Sequence, residues 1–194
     1  MIALRYRIAQ SLSVLGHPFV LLPLTIALSF AGSLPPGRLL VVVGVFLAST
    51  ILPFVLVIRR KVRAQEWTDA DVSNQTERQH FYYVTLVVLA LSLPIAWLLR
   101  MPTPLITGLG ISLVLLSAGL LINRRSKISL HMMFAAYCVV ILGRAQLAFV
   151  LCSVAFVLAL AWARLVLKRH TLTEIIFGLL LGATGGVCLQ YIYR

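Results

Sequence analysis

Three polar clusters interrupt an otherwise apolar chain and hold residue types suited to phosphate chemistry. They read DVSNQTERQHF at 71–81, RRSKISLHMMF at 124–134 and ARLVLKRHTLTE at 163–174. In the third cluster His170 and Glu174 are four residues apart, so on a helix the carboxylate can reach the imidazole. Such a carboxylate fixes the tautomer and leaves the other ring nitrogen free to attack or to accept a proton. The alternative is an interfacial carboxylate paired with Lys168 or Arg169.

Cations in the second and third clusters suit an anionic group. Arg164 precedes His170 by six residues, where a chain reversal would bring its planar guanidinium over the ring and toward phosphate oxygens. Lys127 and Ser129 stand at the start of a predicted helix, whose free N–H groups and dipole favour an anion. His131, two residues further on, is suited to protonate a leaving oxygen. The alternatives are a snorkelling Arg164 and a polar helix cap beside an interfacial His131.

The first cluster is the least specific of the three. Arg78 is a candidate phosphate ligand, and the alternative is that it is simply one more charged residue of a loop. Asn74 and His80 are predicted to be solvated. His17, which precedes Pro18 inside the first apolar run, is predicted to be a packed polar residue. Glycine-rich phosphate loops, HExxH patterns and paired carboxylates do not appear in the sequence. The chemistry predicted is therefore based on histidine, without a metal or other cofactor.

Membrane-spanning helices must position these clusters. Hydrophobic residues make up 61% of the 194 residues and charged residues 11%, against about 25% charged in soluble domains. The apolar runs are continuous and near the roughly 20 residues of a spanning helix, which favours helices over a barrel. We therefore predict an all-α, polytopic transmembrane helix bundle of six to seven spans that forms one membrane domain over 1–194. The spans lie at about 8–31, 38–58, 81–99, 104–122, 146–166 and 172–192, with a shorter one at 129–144.

Lys and Arg concentrate on one side of this predicted bundle. If sides alternate at each span, thirteen lie on the side of the N-terminus, and the other side has only Arg38, Arg100, Arg144 and Arg194. The positive-inside rule places the richer side in the cytoplasm of a multi-pass protein, which we expect in the cell inner membrane. Because the cations stand in short loops between spans, the expected partner is the bilayer rather than a nucleic acid. All three clusters fall on the positive side, which predicts one composite site.

The third cluster resembles a motif of the type 2 phosphatidic acid phosphatase (PAP2) superfamily of membrane lipid phosphatases, whose relatives include vanadium haloperoxidases. The family motif is Ser-Arg-x5-His-x3-Asp, and Arg164, His170 and Glu174 follow its spacing. Ala163 replaces the Ser, and Glu replaces the Asp with a longer side chain. Glycines at positions 178 and 182 continue the likeness, because a glycine-spaced helix commonly follows this motif in the family.

The other two clusters resemble the remaining family motifs less closely. In KISLH, Ser129 and His131 match Pro-Ser-Gly-His, with Ile and Leu in place of Pro and Gly. In the motif Lys-x6-Arg-Pro, Arg78 matches, but Asp71 replaces the Lys and a Gln replaces the Pro. Lys127 is a candidate for the missing cation. The resemblance covers roughly residues 60–190 and implies a PAP2-like core there.

The resemblance implies a phosphatase acting on a lipid phosphomonoester or diphosphate, such as a prenyl or polyprenyl diphosphate or a phosphatidate-like lipid. It assigns His170 as the nucleophile that becomes phosphohistidine, His131 as the proton donor and Glu174 as the group that orients His170. The phosphate would be bound by Arg164, Lys127, Ser129 and Arg78. Two other hypotheses stay open, namely a non-catalytic lipid-phosphate binder or transporter and a structural membrane subunit.

Overall fold

A computed structural model describes residues 2–67, 75–144 and 147–193. Its elements are helices, which confirms the predicted all-α class. They are α1 (Ile2–Leu15), α2 (Pro18–Phe30), α3 (Pro36–Phe46), α4 (Leu52–Arg63), α5 (Gln75–Leu98), α6 (Thr103–Asn123), α7 (Leu130–Ile141), α8 (Leu147–Val166) and α9 (Leu172–Ile192). A π-helical turn, Leu47–Ile51, joins α3 to α4, and a 3-10 turn, Leu142–Arg144, follows α7.

Within the described ranges, five helical segments are long and apolar enough to cross a bilayer. They are Pro36–Arg63, Glu77–Leu98, Thr103–Asn123, Leu147–Val166 and Leu172–Ile192. The helix pair α1 and α2 becomes a sixth if it forms one span. The predicted short span is α7, which has 12 residues and a length of about 18 Å, well below the hydrocarbon thickness of about 30 Å. The protein is therefore a multi-pass membrane protein.

The first apolar run, predicted as one span, is broken at Gly16 and His17. The helices on either side of this break are bent by 51°. Pro18 begins α2, where its missing N–H is tolerated, and a residue before proline is disfavoured in helical conformation. The His17 Nδ1 atom accepts a hydrogen bond from the backbone N–H of Phe19 at 3.2 Å and so satisfies a donor in the first turn of α2.

The described chain divides into two compact units. One unit contains Met1–Ser29 and Ile128–Arg194, and the other contains Phe30–Lys127. The first unit therefore holds α1, most of α2, and α7 to α9. The second holds α3 to α6.

In the second unit, the helical span Pro36–Arg63 continues through Pro53. Pro53 has no N–H to donate to the carbonyl of Ser49, four residues earlier. The hydroxyl of Ser92 on α5 lies 2.9 Å from that carbonyl oxygen and 2.8 Å from the carbonyl oxygen of Val88 in its own helix, so it can donate to either. Thr50 donates to the Ser92 hydroxyl oxygen at 3.1 Å. The hydroxyl groups thus replace backbone bonding at the π-helical turn, as commonly happens in membrane helices.

The variant Ser92→Ala should be less stable than the wild-type protein by about 1 kcal/mol, because it removes this interhelical bond in an apolar setting. Thermal unfolding in detergent measures the difference. Ser153→Ala is the matched control, since the Ser153 hydroxyl donates to Phe149 in its own helix. Equal losses in the two variants would contradict the role given to Ser92.

In the first unit, α7 and α9 pack closely because glycines form the contact face of α9. A Cβ atom on Gly178 would lie 2.6 Å from the carbonyl oxygen of Ser129, and one on Gly182 would overlap the carbonyl group of Met133. The partners advance along α7 as the glycines advance along α9, so the two helices run parallel. Residues 131–138 of α7 are all buried, so this short helix is enclosed by protein.

Candidate functional site

The contact predicted between His170 and Glu174 is present at the beginning of α9. His170 Nδ1 lies 2.7 Å from Glu174 Oε2, and the His170 side chain is only 4% exposed. The backbone differs from the prediction, which placed both residues on one helix. His170 precedes the N-cap residue Thr171, and Glu174 reaches back toward it from the third helical position.

Glu174 also completes a capping box at the beginning of α9. Its Oε2 atom accepts the N–H of Thr171 at 3.3 Å, and the Thr171 hydroxyl accepts the N–H of Glu174 at 3.4 Å. The carboxylate therefore stabilises the helix end and interacts favourably with its dipole, as well as binding the imidazole. The sequence signal for this cap is Thr-x-x-Glu before an apolar run.

The carboxylate determines which nitrogen of His170 is reactive. An ionised carboxylate only accepts hydrogen bonds, so Nδ1 of His170 is the donor in this contact. In the neutral imidazole Nε2 then keeps its lone pair. The contact with Glu174 thus fixes the orientation and the tautomer of the His170 ring.

The second cluster contacts the third at Ser129. Ser129 is the N-cap residue of α7, and its N–H donates to the backbone carbonyl of Glu174 at 3.2 Å. The Ser129 side chain is fully buried, and its hydroxyl has no hydrogen-bond partner among the residues that the structure describes. Since it does not cap α7, the hydroxyl is available to a bound anion. Buried polar groups of this kind need a partner.

His131 lies in the first turn of α7 and is buried. Its ring meets that of His17 edge to face, with centroids 5.0 Å apart and planes at 89°. His17 was predicted to be a packed polar residue, and it is half-buried. Its contact with His131 was not foreseen, because no local pattern connects two residues so far apart in the chain.

Arg164 is also buried, with 2% exposure, which contradicts a snorkelling side chain. Its guanidinium Nη1 donates to the hydroxyl of Ser13 on α1 at 2.6 Å. The predicted chain reversal begins here, because the carbonyl of Arg164 accepts the N–H of Arg169 at 3.1 Å. The sequence clusters did not indicate this contact between Arg164 and Ser13.

The remaining predicted site residues belong to the second unit or lie outside the described ranges. Arg78 is buried in the first turns of α5. Lys127 is half-buried and is the last residue of the second unit. His80 is exposed, in agreement with the prediction of a solvated side chain. Asp71 and Asn74 are outside the described residues. A single site that includes Arg78 and Lys127 stays a prediction.

The first unit contains an arrangement suited to an anion. The adjacent N-termini of α7 and α9 both present positive dipole ends, and Arg164 adds a full charge in the same unit. These groups all favour a negative charge, and they belong to the same unit as His170. Within the described ranges, no group of three or more His, Cys, Asp or Glu residues is placed to hold a metal ion.

No family model, curated protein or solved structure matches this chain. The likeness to PAP2 phosphatases therefore rests on the motif residues. The contacts of these residues in the first unit are the physical basis for a functional proposal.

Proposed function

We propose that this protein is a PAP2-type lipid phosphatase, which hydrolyses a lipid phosphomonoester or diphosphate through a phosphohistidine. The observation that carries the proposal is the Glu174 carboxylate on His170 Nδ1, beside the N-terminus of α7. A structural ion pair would account for the carboxylate. It would not account for the buried Ser129 hydroxyl and the buried Arg164 in the same unit.

In the first step, His170 Nε2 attacks the phosphorus atom and forms an N–P bond. The P–O bond to the lipid breaks, and its electron pair stays on the lipid oxygen. His131 donates a proton to that oxygen, which makes it a better leaving group. With a diphosphate, attack at the terminal phosphorus releases the lipid monophosphate.

In the second step, a water molecule attacks the phosphorus of phosphohistidine and gives a proton to His131. The N–P bond breaks, inorganic phosphate leaves, and His170 regains its lone pair. Glu174 stabilises the positive charge that His170 carries while phosphorylated, since its carboxylate accepts a hydrogen bond from the Nδ1–H group. Both histidines then return to their starting states.

Most of the rate enhancement in phosphoryl transfer comes from neutralising charge on the phosphoryl oxygens. We assign this role to Arg164, the Ser129 hydroxyl and the backbone N–H groups at the start of α7. Arg78 and Lys127 are included on the strength of the family motif. Their participation is tested by the same activity measurements on Arg78→Ala and Lys127→Ala.

The membrane setting favours a lipid substrate. Exposed apolar side chains cover the described helices, and a lipid tail can enter between helices while its phosphate stays near the polar ends. We place the site on the cytoplasmic face of the cell inner membrane, because residues 124–128 and 164–170 contain six Lys or Arg residues and positive loops favour the cytoplasm. Newly synthesised prenyl diphosphates are substrates available on that face.

The proposal is tested by phosphate release from the detergent-purified protein in the presence of a metal chelator. The substrates are a prenyl diphosphate, a polyprenyl diphosphate and a phosphatidate. Release from at least one of them is the expected result, and the relative rates rank the substrate classes. A folded protein that binds these lipids without releasing phosphate would favour the lipid-phosphate binder or transporter.

Glu174→Gln should lower kcat by at least about 100-fold, because an amide does not enforce the required tautomer or stabilise the charged ring. Thr171→Ala is the matched control, because it removes the other side chain of the capping box and leaves the carboxylate. It should cost about 1 kcal/mol of stability and leave kcat nearly unchanged. Equal losses of kcat in both variants would assign Glu174 to helix capping alone.

A further inference from the structure

The C-terminal end of α1 contacts residues of α7 and α8 that the proposed reaction uses. Ser13 accepts a hydrogen bond from Arg164, and His17, one helical turn further, packs against His131. Between them, a Cβ atom on Gly16 would lie 2.5 Å from a methyl carbon of Leu160 on α8. A Cβ atom would fit there only if the Leu160 side chain moved, so the end of α1 lies close against α8.

The orientation of the His17 ring is fixed on both sides. Its Nδ1 accepts the N–H of Phe19, so the neutral ring carries its proton on Nε2. Its plane meets the Phe19 ring at 61° with centroids 4.5 Å apart. The bend before Pro18 places this ring against the ring of His131, which it meets edge to face. Edge-to-face packing of this kind restricts the partner's rotation.

Ser13 restrains Arg164 in a similar way. A guanidinium group has five N–H donors in a fixed plane, and the Ser13 hydroxyl accepts a hydrogen bond from Nη1 of Arg164. Because the group is planar, anchoring one nitrogen sets the directions of the remaining donors. The bond to Ser13 therefore restricts the orientation of the Arg164 guanidinium before a phosphate binds, which lowers the entropy lost on binding.

We propose that Ser13 and His17 are positioning residues, and that the end of α1 belongs to the active site. His17 holds the His131 ring in the orientation that exchanges a proton with the lipid oxygen, and Ser13 holds the Arg164 fork for phosphate. This inference rests on the proposed phosphatase function. The inference also explains the break between α1 and α2, because a continuous helix would place the His17 ring in a different position from the one that contacts His131.

The first arm of the test measures kcat and KM for farnesyl diphosphate. His17→Ala should lower kcat about 10- to 100-fold with little change in KM, since misplaced catalytic groups mainly lose transition-state contacts. His17→Phe should restore most of kcat, because its ring can keep the edge-to-face packing. Ser13→Ala should raise KM about fivefold. Val14→Ala, at an exposed position of α1, is the control and should leave both constants unchanged.

The second arm measures the histidine ring signals by NMR on protein labelled at its four histidines. The His131 signals should shift in His17→Ala and stay near their wild-type positions in His17→Phe and Val14→Ala. This readout needs no turnover. If the wild-type protein releases no phosphate, the phosphatase proposal fails, and the His131 signals alone decide whether His17 positions that ring. Unmoved His131 signals, or unchanged kcat in an active protein, would overturn the inference.

Discussion

His170→Ala is expected to lower phosphate release from the preferred lipid by at least about 1,000-fold, because it removes the proposed nucleophile. The expected loss is this large because His170 is the residue whose Nε2 is left with a lone pair by the Glu174 carboxylate. Binding of the lipid should change far less, since the phosphate ligands remain. Initial rates of phosphate release and lipid binding in detergent measure the two effects separately.

His80→Ala is the matched control for this variant, because it makes the same substitution at an exposed histidine. It should retain wild-type activity. A His170→Ala protein that is folded and keeps more than about a tenth of the wild-type rate would exclude His170 as the nucleophile. Loss of activity in both variants would point to a general defect.

Gly182→Ala is expected to destabilise the protein by about 3 kcal/mol or more, because a methyl group would overlap the Met133 carbonyl group. Backbone atoms cannot adjust as a flexible side chain can, so α7 and α9 must separate. That separation also strains the bond between Ser129 and Glu174. Thermal unfolding in detergent should therefore show a lower midpoint, with a parallel loss of phosphate release.

Gly110→Ala provides the control for a glycine in a membrane helix. A Cβ atom there meets nothing within 4 Å, and Ala has the higher helix propensity by about 1 kcal/mol. This variant should be as stable as the wild type or more so. Equal midpoints for Gly182→Ala and Gly110→Ala would show that α7 and α9 are not packed as closely as described.

The helical class and most spans could be predicted from sequence, because bilayer thickness and backbone hydrogen bonding leave few alternatives for long apolar runs. The bend at Gly16 and His17 was missed. Its signal was the glycine before His-Pro, where proline disfavours helical conformation in the preceding residue. The short α7 was predicted as a span, because composition does not distinguish a helix enclosed by protein from one that faces lipid.

Within the candidate site, the predictable contact was the local one. His170 and Glu174 are four residues apart, and either a helix or a capping box brings such neighbours together. Ser13 and Arg164 are separated by 151 positions, so only helix packing determines that they meet. The same holds for His17 and His131. A single sequence contains no periodic signal for such pairs, although an unexplained polar residue in an apolar run is a reason to look for one.

The most direct test of the central claim is to trap the covalent intermediate. Wild-type protein is mixed with farnesyl diphosphate labelled with ³²P at the terminal phosphate, quenched in alkali within milliseconds to seconds, and digested for peptide mapping. If His170 is the nucleophile, we expect an acid-labile, alkali-stable label on the peptide containing His170, and none in His170→Ala. Rapid phosphate release without any label at His170 would contradict that role.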